Sequence, residues 1–218
     1  MSDGPALHDV GMLEQVLAAL APPGVLIACR CVEAGDASHI LPDESGTILS
    51  RTPSGRDASG AGRLLAHGLL RQLGHPDVAV PRGKAGEPVW PIGVVGSIAH
   101  DADIAIAVSA RAETVRSVGV DIELATPLPP DLEPIVVTPR DRLGDCDPAI
   151  AGKLAFVVKE AAYKASFPLD GEVLGFEDIA VDLPAGIVTL ANGRRIEARV
   201  SISSHILAVA FVPAAVED

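Results

Sequence analysis

Apolar and polar positions alternate most clearly between residues 118 and 124, where Val118, Val120, Ile122 and Leu124 are interleaved with Gly119, Asp121 and Glu123. A period of two predicts a strand with one apolar face. Its other face sets two carboxylates about 7 Å apart. Pro127, Pro129 and Pro130 then end the pattern, since proline cannot continue a ladder. Two acids side by side are tolerable on a solvated edge strand and costly where partly buried without a cation. Both readings stand on this segment alone.

The rest of the chain reads as alternating helices and strands. Residues 1–20 suggest an amphipathic helix or a partly ordered tail, and a strand is expected at about 24–33. The polar stretch 36–56 carries Pro42, Gly46, Pro53 and Gly55 and reads as loop or short helix. Over 58–74, Ala61, Leu64, Leu65, Ala66, Leu69, Leu70 and Leu73 recur at helical period, with Gly74 as C-cap. A turn-rich connector, "PRGKAGEPVWP", precedes two strands at 92–100 and 104–110, joined by a polar bend from His100 to Asp103. After the proline-rich loop, a second long helix is expected from Asp147 and Pro148 to Phe167, stopped by Pro168. Short strands follow near 177–182, 186–190, 195–203 and 205–212, with Asn192-Gly193 as a hairpin turn.

A faint internal echo relates "SIAHDADIAIAV" (97–108) to "SISSHILAVAFV" (201–212). Each is a strand, a polar bend and a strand after a long helix. The expected class is α+β, in two similar halves, with the cleft between them as the place for a ligand.

Composition narrows the function. With 218 residues the chain can bury a substantial core, and no apolar run approaches the ~20 residues of a membrane span. The opening "MSDGPALHDV" has neither a basic start nor an apolar core of a secretion signal, so the expectation is a cytoplasmic protein with no membrane partner. A net charge of −12 argues against a nucleic-acid partner. An anionic ligand would therefore need a local set of cations, and Arg51, Arg56, Arg63, Arg71, Arg82 and Lys84 do cluster. Cys29, Cys31 and Cys146 form no zinc pattern. Ordinary thiols or a redox role both remain open for the first two.

In the second long helix Glu160 and Lys164 stand four apart and share a face. They could be a surface ion pair. Glu160 also borders the apolar stripe of Ile150, Leu154, Val157, Ala161 and Ala165, from where it can reach a cleft. With Asp121 and Glu123 it would complete an oxygen cage suited to Mg²⁺, which explains why two strand acids tolerate one another.

In order and approximate spacing, "WPIGVVGSIAH" (90–100), "GVDIE" (119–123) and "KEAAYK" (159–164) resemble the signature of the 4′-phosphopantetheinyl transferases. The likeness is closer to the larger Sfp-like and enterobactin-type branch with two fused halves, and especially to actinobacterial members, through "GEPVWP" and "KEAAYKASFPL". It spans residues 50–212. It implies a pseudo-twofold fold with halves at 1–110 and 111–218, each a long helix on a small antiparallel sheet. The implied reaction moves the phosphopantetheine arm of coenzyme A to a serine of an acyl or peptidyl carrier protein and releases adenosine 3′,5′-bisphosphate, acting as a monomer with Mg²⁺.

By position, the resemblance assigns metal binding to Asp121, Glu123 and Glu160. Glu160 also matches the residue that accepts the serine proton, directly or through water, and Lys164 the lysine on the pyrophosphate. Arg56, Arg63, Arg82, His100 and Lys159 match coenzyme A contacts. Three positions depart from the pattern. Ala99 stands where relatives carry Ser or Thr, Gly55 where a base is common, and Val158 where a small Ala usually precedes the lysine. These departures bear on coenzyme A affinity. Phe167, Pro168 and Leu169 either pack in the core or help dock the carrier protein.

Overall fold

The computed structural model describes residues 10–214. The described part of the expected N-terminal helix is α1, Val10–Leu20; residues 1–9 lie outside the described residues. Strand β1 (Leu26–Cys31), a 3₁₀ turn at Asp36–His39 and the short α2 (Pro42–Ser45) lead to the first long helix, α3 (Pro53–Gln72). Strands β2 (Val94–His100), β3 (Ile104–Arg111) and β4 (Val115–Leu124) follow. The proline-rich loop holds a single turn of helix, α4 (Glu133–Val136), which proline content had masked. Helix α5 (Ala151–Asp170), a 3₁₀ turn at Phe176–Asp178 and strands β5 (Ile179–Asp182), β6 (Ile187–Leu190), β7 (Arg195–Ile202) and β8 (His205–Pro213) complete the chain.

Three boundaries differ from expectation for local reasons. Helix α3 starts five residues early because Thr52 caps it, its hydroxyl accepting from the Gly55 amide at 3.2 Å, with Pro53 at the first position. Helix α5 starts after Asp147, whose carboxylate is spent on a turn, accepting from the Ala149 amide at 2.9 Å. The same helix runs through Pro168 for two residues and ends at Gly171, whose φ of 71° suits glycine. A proline so near the end removes only one late hydrogen bond.

The fold is α+β, with antiparallel sheets throughout the named ladders. Strands β1-β3-β2 form one sheet and β4-β8-β7-β6-β5 the other. In each sheet the strand that precedes a long helix, β1 or β4, pairs with β3 or β8, and the hairpin partner of the latter, β2 or β7, lies beyond it. Successive residues of β3 and β8 point to opposite faces, so both strands are buried on two sides. Ile104, Ile106, Val108 and Ala110 of β3 meet Val118, Val120 and Ile122 of β4 and Leu207, Val209 and Phe211 of β8, with α1 closing that layer. Ala107 faces α3, whose Ala66, Leu69 and Leu70 pack on it. On the far side Ile206, Ala208 and Ala210 meet Leu154, Val157, Ala161 and Ala165 of α5. The order of layers is helix, sheet, sheet, helix. Among the described residues no helix is long and apolar enough to cross a membrane.

Glycine 119 sets the spacing between β4 and α5. A Cβ built there would lie 2.1 Å from the Ala161 carbonyl oxygen, 2.6 Å from the Ala165 nitrogen and 3.0 Å from Lys164 Cβ. Only a hydrogen fits, and α5 rests directly on the strand backbone. The next residues on that face, Asp121 and Glu123, are thereby carried up to the α5 side chains.

Candidate functional site

A groove runs along the junction of the two sheets and α5. Its first part, about 300 Å³, is lined by Arg63 of α3, His100 of β2 and Arg82 of the turn-rich connector. The adjoining part, about 230 Å³, shares Arg82, Gly86, Pro88 and Ile98 with the first and adds Ser97, Glu160, Tyr163 and Lys164. A third cavity of about 200 Å³ shares Glu160 and Tyr163 with the second and is otherwise walled by Leu174, Gly175, Phe176 and Ile179. The groove thus passes from a cationic end, past an acid and a lysine, to an apolar end. Phe167 and Pro168 line its middle part, while Leu169 packs beside the core.

At the cationic end Arg63 is 8% exposed, and its Nε is buried without a hydrogen-bond partner in the protein. Burial, and then the like charge of Arg82, pull its pKa down against the pull of Glu44. Such a cation is under-neutralised, and an anion entering the groove relieves both costs. His100 keeps an open side. Partial burial of its ring, and then the charges of Lys164 and Arg63, hold it below its ordinary value despite Asp101. The bend carrying His100 is tied down by Asp101, whose Oδ1 accepts from the Asp103 and Ile104 amides, both at 2.8 Å. Asp101 Oδ2 lies 3.1 Å from Nε2 of buried His205 at the start of β8.

In the middle of the groove Lys164 Nζ lies 2.6 Å from Asp121 Oδ1. Asp121 Oδ2 is buried with no partner. Burial pushes the Asp121 carboxyl up, Lys164 pulls it back, and Glu123 pushes it up again. Glu160 is raised likewise, first by burial and then, against Lys164, by Asp121 and Glu123. Asp121 therefore feels Glu123, and Glu160 feels both strand acids. They do not form a closed cage, however. Among the described residues no three His, Cys, Asp or Glu side chains gather closely enough to hold a metal ion. Lysines take up part of the charge instead: Lys164 on Asp121, and Lys153 Nζ on Glu123 Oε2 at 3.1 Å.

Lys153 is a residue the motif reading missed, although the signal was present. Residues 153, 160 and 164 are spaced seven and four apart and so form one stripe along α5. Ser97 was also missed. Its hydroxyl is 2% exposed and accepts from the Val120 amide at 3.3 Å, joining β2 to the acid-bearing strand.

Two expected coenzyme A contacts fall elsewhere. Lys159 is fully buried and lines none of the three cavities, lying 2.8 Å from Asp141 Oδ2 and donating to the Val136 and Phe176 carbonyls at 2.8 and 3.0 Å. One residue along a helix is a turn of about 100°, so Glu160 and its neighbour cannot both face the groove. Arg56, at the first turn of α3, does not line it either. Ala99 is 4% exposed within the layer between the sheets and not on the groove wall, which weakens the expectation of a missing phosphate contact there. Val158 is buried core.

Known proteins resemble this chain over much of its length. A family model described as 4′-phosphopantetheinyl transferase N-terminal domain matches residues 43–110, which include α3, Arg63, Arg82 and His100. The chain is 32% identical over 200 residues to the 4′-phosphopantetheinyl transferase Svp of Streptomyces mobaraensis, covering 84% of this chain and 81% of that protein. It is 39% identical over 143 residues to Npt of Nocardia iowensis and 39% over 142 residues to PptT of Mycobacterium tuberculosis, both 4′-phosphopantetheinyl transferases. Those two matches cover 63% of this chain and 64% and 63% of the relatives, so they span a little under two thirds of each relative's length. With the groove, the paired acids and the long match to Svp in place, the chain belongs to the 4′-phosphopantetheinyl transferase family.

Proposed function

We propose that the chain transfers the 4′-phosphopantetheine arm of coenzyme A to a serine of an acyl or peptidyl carrier protein. The carrying observation is one groove that runs from buried, under-neutralised Arg63 past Glu160 and Lys164, the lysine paired with Asp121, to an apolar end. A nucleotide bearing a 3′-phosphate and a pyrophosphate, with an uncharged arm, suits that order. In this reading Arg63, Arg82 and His100 hold the nucleotide phosphates, and Lys164 leaves Asp121 to meet the pyrophosphate. Glu160 accepts the proton of the carrier serine, directly or through one water. A carboxyl raised by burial is the better base near neutral pH. The serine oxygen bonds to the phosphorus that bears pantetheine, the bond to the inner phosphate breaks, and adenosine 3′,5′-bisphosphate leaves.

The donor set suits a hard divalent cation such as Mg²⁺. It is all carboxylate, mutually repelling, and includes the partnerless Asp121 Oδ2. As they stand, Asp121, Glu123 and Glu160 are not gathered into a metal-holding group; with Lys164 drawn off to the pyrophosphate they would be free to hold the ion, which when bound would offset negative charge on the pyrophosphate. We further read the chain as two related halves, 1–110 and 111–218, in a pseudo-twofold arrangement. The groove uses both, so a monomer would contain a complete site.

The test is to incubate the protein with coenzyme A, Mg²⁺ and an apo carrier protein and to weigh the carrier by mass spectrometry. Gain of the phosphopantetheine mass, abolished in Asp121→Ala, is expected. An unmodified carrier despite tight coenzyme A binding would overturn the reading in favour of a binding module. Free phosphopantetheine formed without a carrier would overturn it in favour of a hydrolase.

A further inference from the structure

The buried pair Lys159 and Asp141 has no part in the groove, yet it joins four segments around it. The lysine is 0% exposed and the Asp141 side chain 1%. Asp141 Oδ2 also accepts from the Thr138 amide and hydroxyl at 2.7 and 3.0 Å, and Oδ1 accepts from the Val181 amide of β5 at 2.9 Å. Lys159 adds the carbonyls at the end of α4 (Val136) and in the turn before β5 (Phe176). Every donor of the ammonium is thus aimed at a different piece of chain. Burying such a pair is seldom the cheapest route to stability, because apolar side chains of the same volume often serve as well or better. What a charged pair adds is direction. The segments it fixes include the turn whose Leu174, Gly175 and Phe176 wall the apolar cavity beside Glu160.

We propose that Lys159 is a positioning residue: it braces the Leu174–Phe176 wall and the α4 segment against α5, so that the apolar cavity beside Glu160 is held open for the incoming carrier serine and pantetheine arm. The proposal rests on the transferase reading. It assigns Lys159 no contact with coenzyme A, in contrast to the expectation from the motif.

The decisive variant is Lys159→Met with Asp141→Asn, which removes both charges and leaves neither buried alone. Thermal melting by circular dichroism checks the fold. Steady-state kinetics with coenzyme A and an apo carrier, and amide hydrogen exchange over residues 133–142 and 172–178, read the brace. The expected result is a coenzyme A KM within about twofold of wild type, kcat lower by about tenfold or more, since misplacement by an ångström can cost that much, and faster exchange in both segments. Wild-type kcat and exchange would overturn the proposal, and so would a raised coenzyme A KM at unchanged kcat. If the double variant melts below the assay temperature, Lys159→Arg, which keeps a positive charge beside Asp141 but not the ammonium's bonds to the two carbonyls, decides: kcat several-fold lower at constant coenzyme A KM supports the brace, and unchanged kcat sinks it. Should the wild-type protein modify no carrier, the transferase reading fails, while the exchange measurement still decides the brace.

Discussion

Replacing Gly119 by alanine tests the geometry on which the site depends. The added methyl would sit 2.1 Å from the Ala161 carbonyl oxygen and 2.6 Å from the Ala165 nitrogen. Both are backbone atoms in the middle of α5 and cannot rotate away. A tolerable carbon–oxygen contact is about 3.3 Å, so the helix must retreat from β4 by about 1.2 Å. Lys164 and Glu160 ride on that helix, whereas Asp121 and Glu123 stay with the strand. The 2.6 Å contact between Lys164 and Asp121 would open by a comparable amount.

A displacement of an ångström at reacting groups can lower kcat about 10²-fold, and overpacking a core costs about 1–3 kcal/mol. At about 2–4 °C per kcal/mol for a chain of this size, the melting temperature should fall by roughly 2–12 °C. Transfer is followed by intact-mass analysis of the carrier, and stability by circular dichroism. The expected variant is folded, slightly less stable and nearly inactive. A folded Gly119→Ala protein with wild-type kcat would refute the reasoning, because the strand-to-helix distance would then not govern the site.

Arg63→Gln should raise the coenzyme A KM by roughly 10- to 100-fold with little change in kcat, the loss of a charged hydrogen bond being worth about 1.5–3 kcal/mol; titration calorimetry with coenzyme A checks it, and unchanged affinity would remove Arg63 from the phosphate end. Glu44 is fully buried and accepts from His67 and from the Val80 and Leu41 amides. Burial alone would raise its pKa, but those hydrogen bonds and the His67 charge lower it below 4.5. A depressed carboxyl contributes stability above its ordinary value that is lost as pH falls through the folded value, so the acid limb of a pH–stability profile should flatten in Glu44→Gln. Burial, followed by Glu14 and Cys31, pushes the Cys29 thiol up to about 12; a thiol reagent near neutral pH should label Cys29 only after unfolding, which peptide mass mapping reads.

Most of the fold was legible because its elements carry complete periodic patterns. The α5 stripe at 154, 157, 161 and 165 is the core face observed, and β4 alternates as read for Val118, Val120 and Ile122, which point inward, whereas Leu124 at its end is 41% exposed. What local pattern could not show is that the other face of β4 is covered as well. Gly119 signals that cover only once its neighbour is known, since a glycine in a strand can equally mark a bulge or an open edge. The solvated-edge alternative for Asp121 fails for this reason: the residue is 7% exposed and lies under α5. Lys159 was misplaced because a motif fixes spacing along the chain, while the α-helix turns adjacent residues to different faces. Its partner Asp141 lies 18 positions before it in a loop with no periodic signal.

The weak echo between residues 97–108 and 201–212 gains weight from strand order. Both segments are a bend and the strand that pairs centrally in its sheet, β3 in one and β8 in the other. Setting Ser97 against Ser201 sets Asp101 against His205, and those two side chains meet at 3.1 Å. The two bends that the echo pairs therefore touch, which supports the proposed arrangement of two related halves. The chain up to residue 110 contributes Arg63, Arg82 and His100 to the groove, and the later chain contributes Glu160 and Lys164, with Asp121 held on Lys164. A chain with a net charge of −12 can attract a polyanion only where such local cations outweigh the long-range field. In the proposed function, cations and acids at successive points of one groove let a single ligand meet both signs, its phosphates at Arg63 and its reacting end at Lys164 and Glu160.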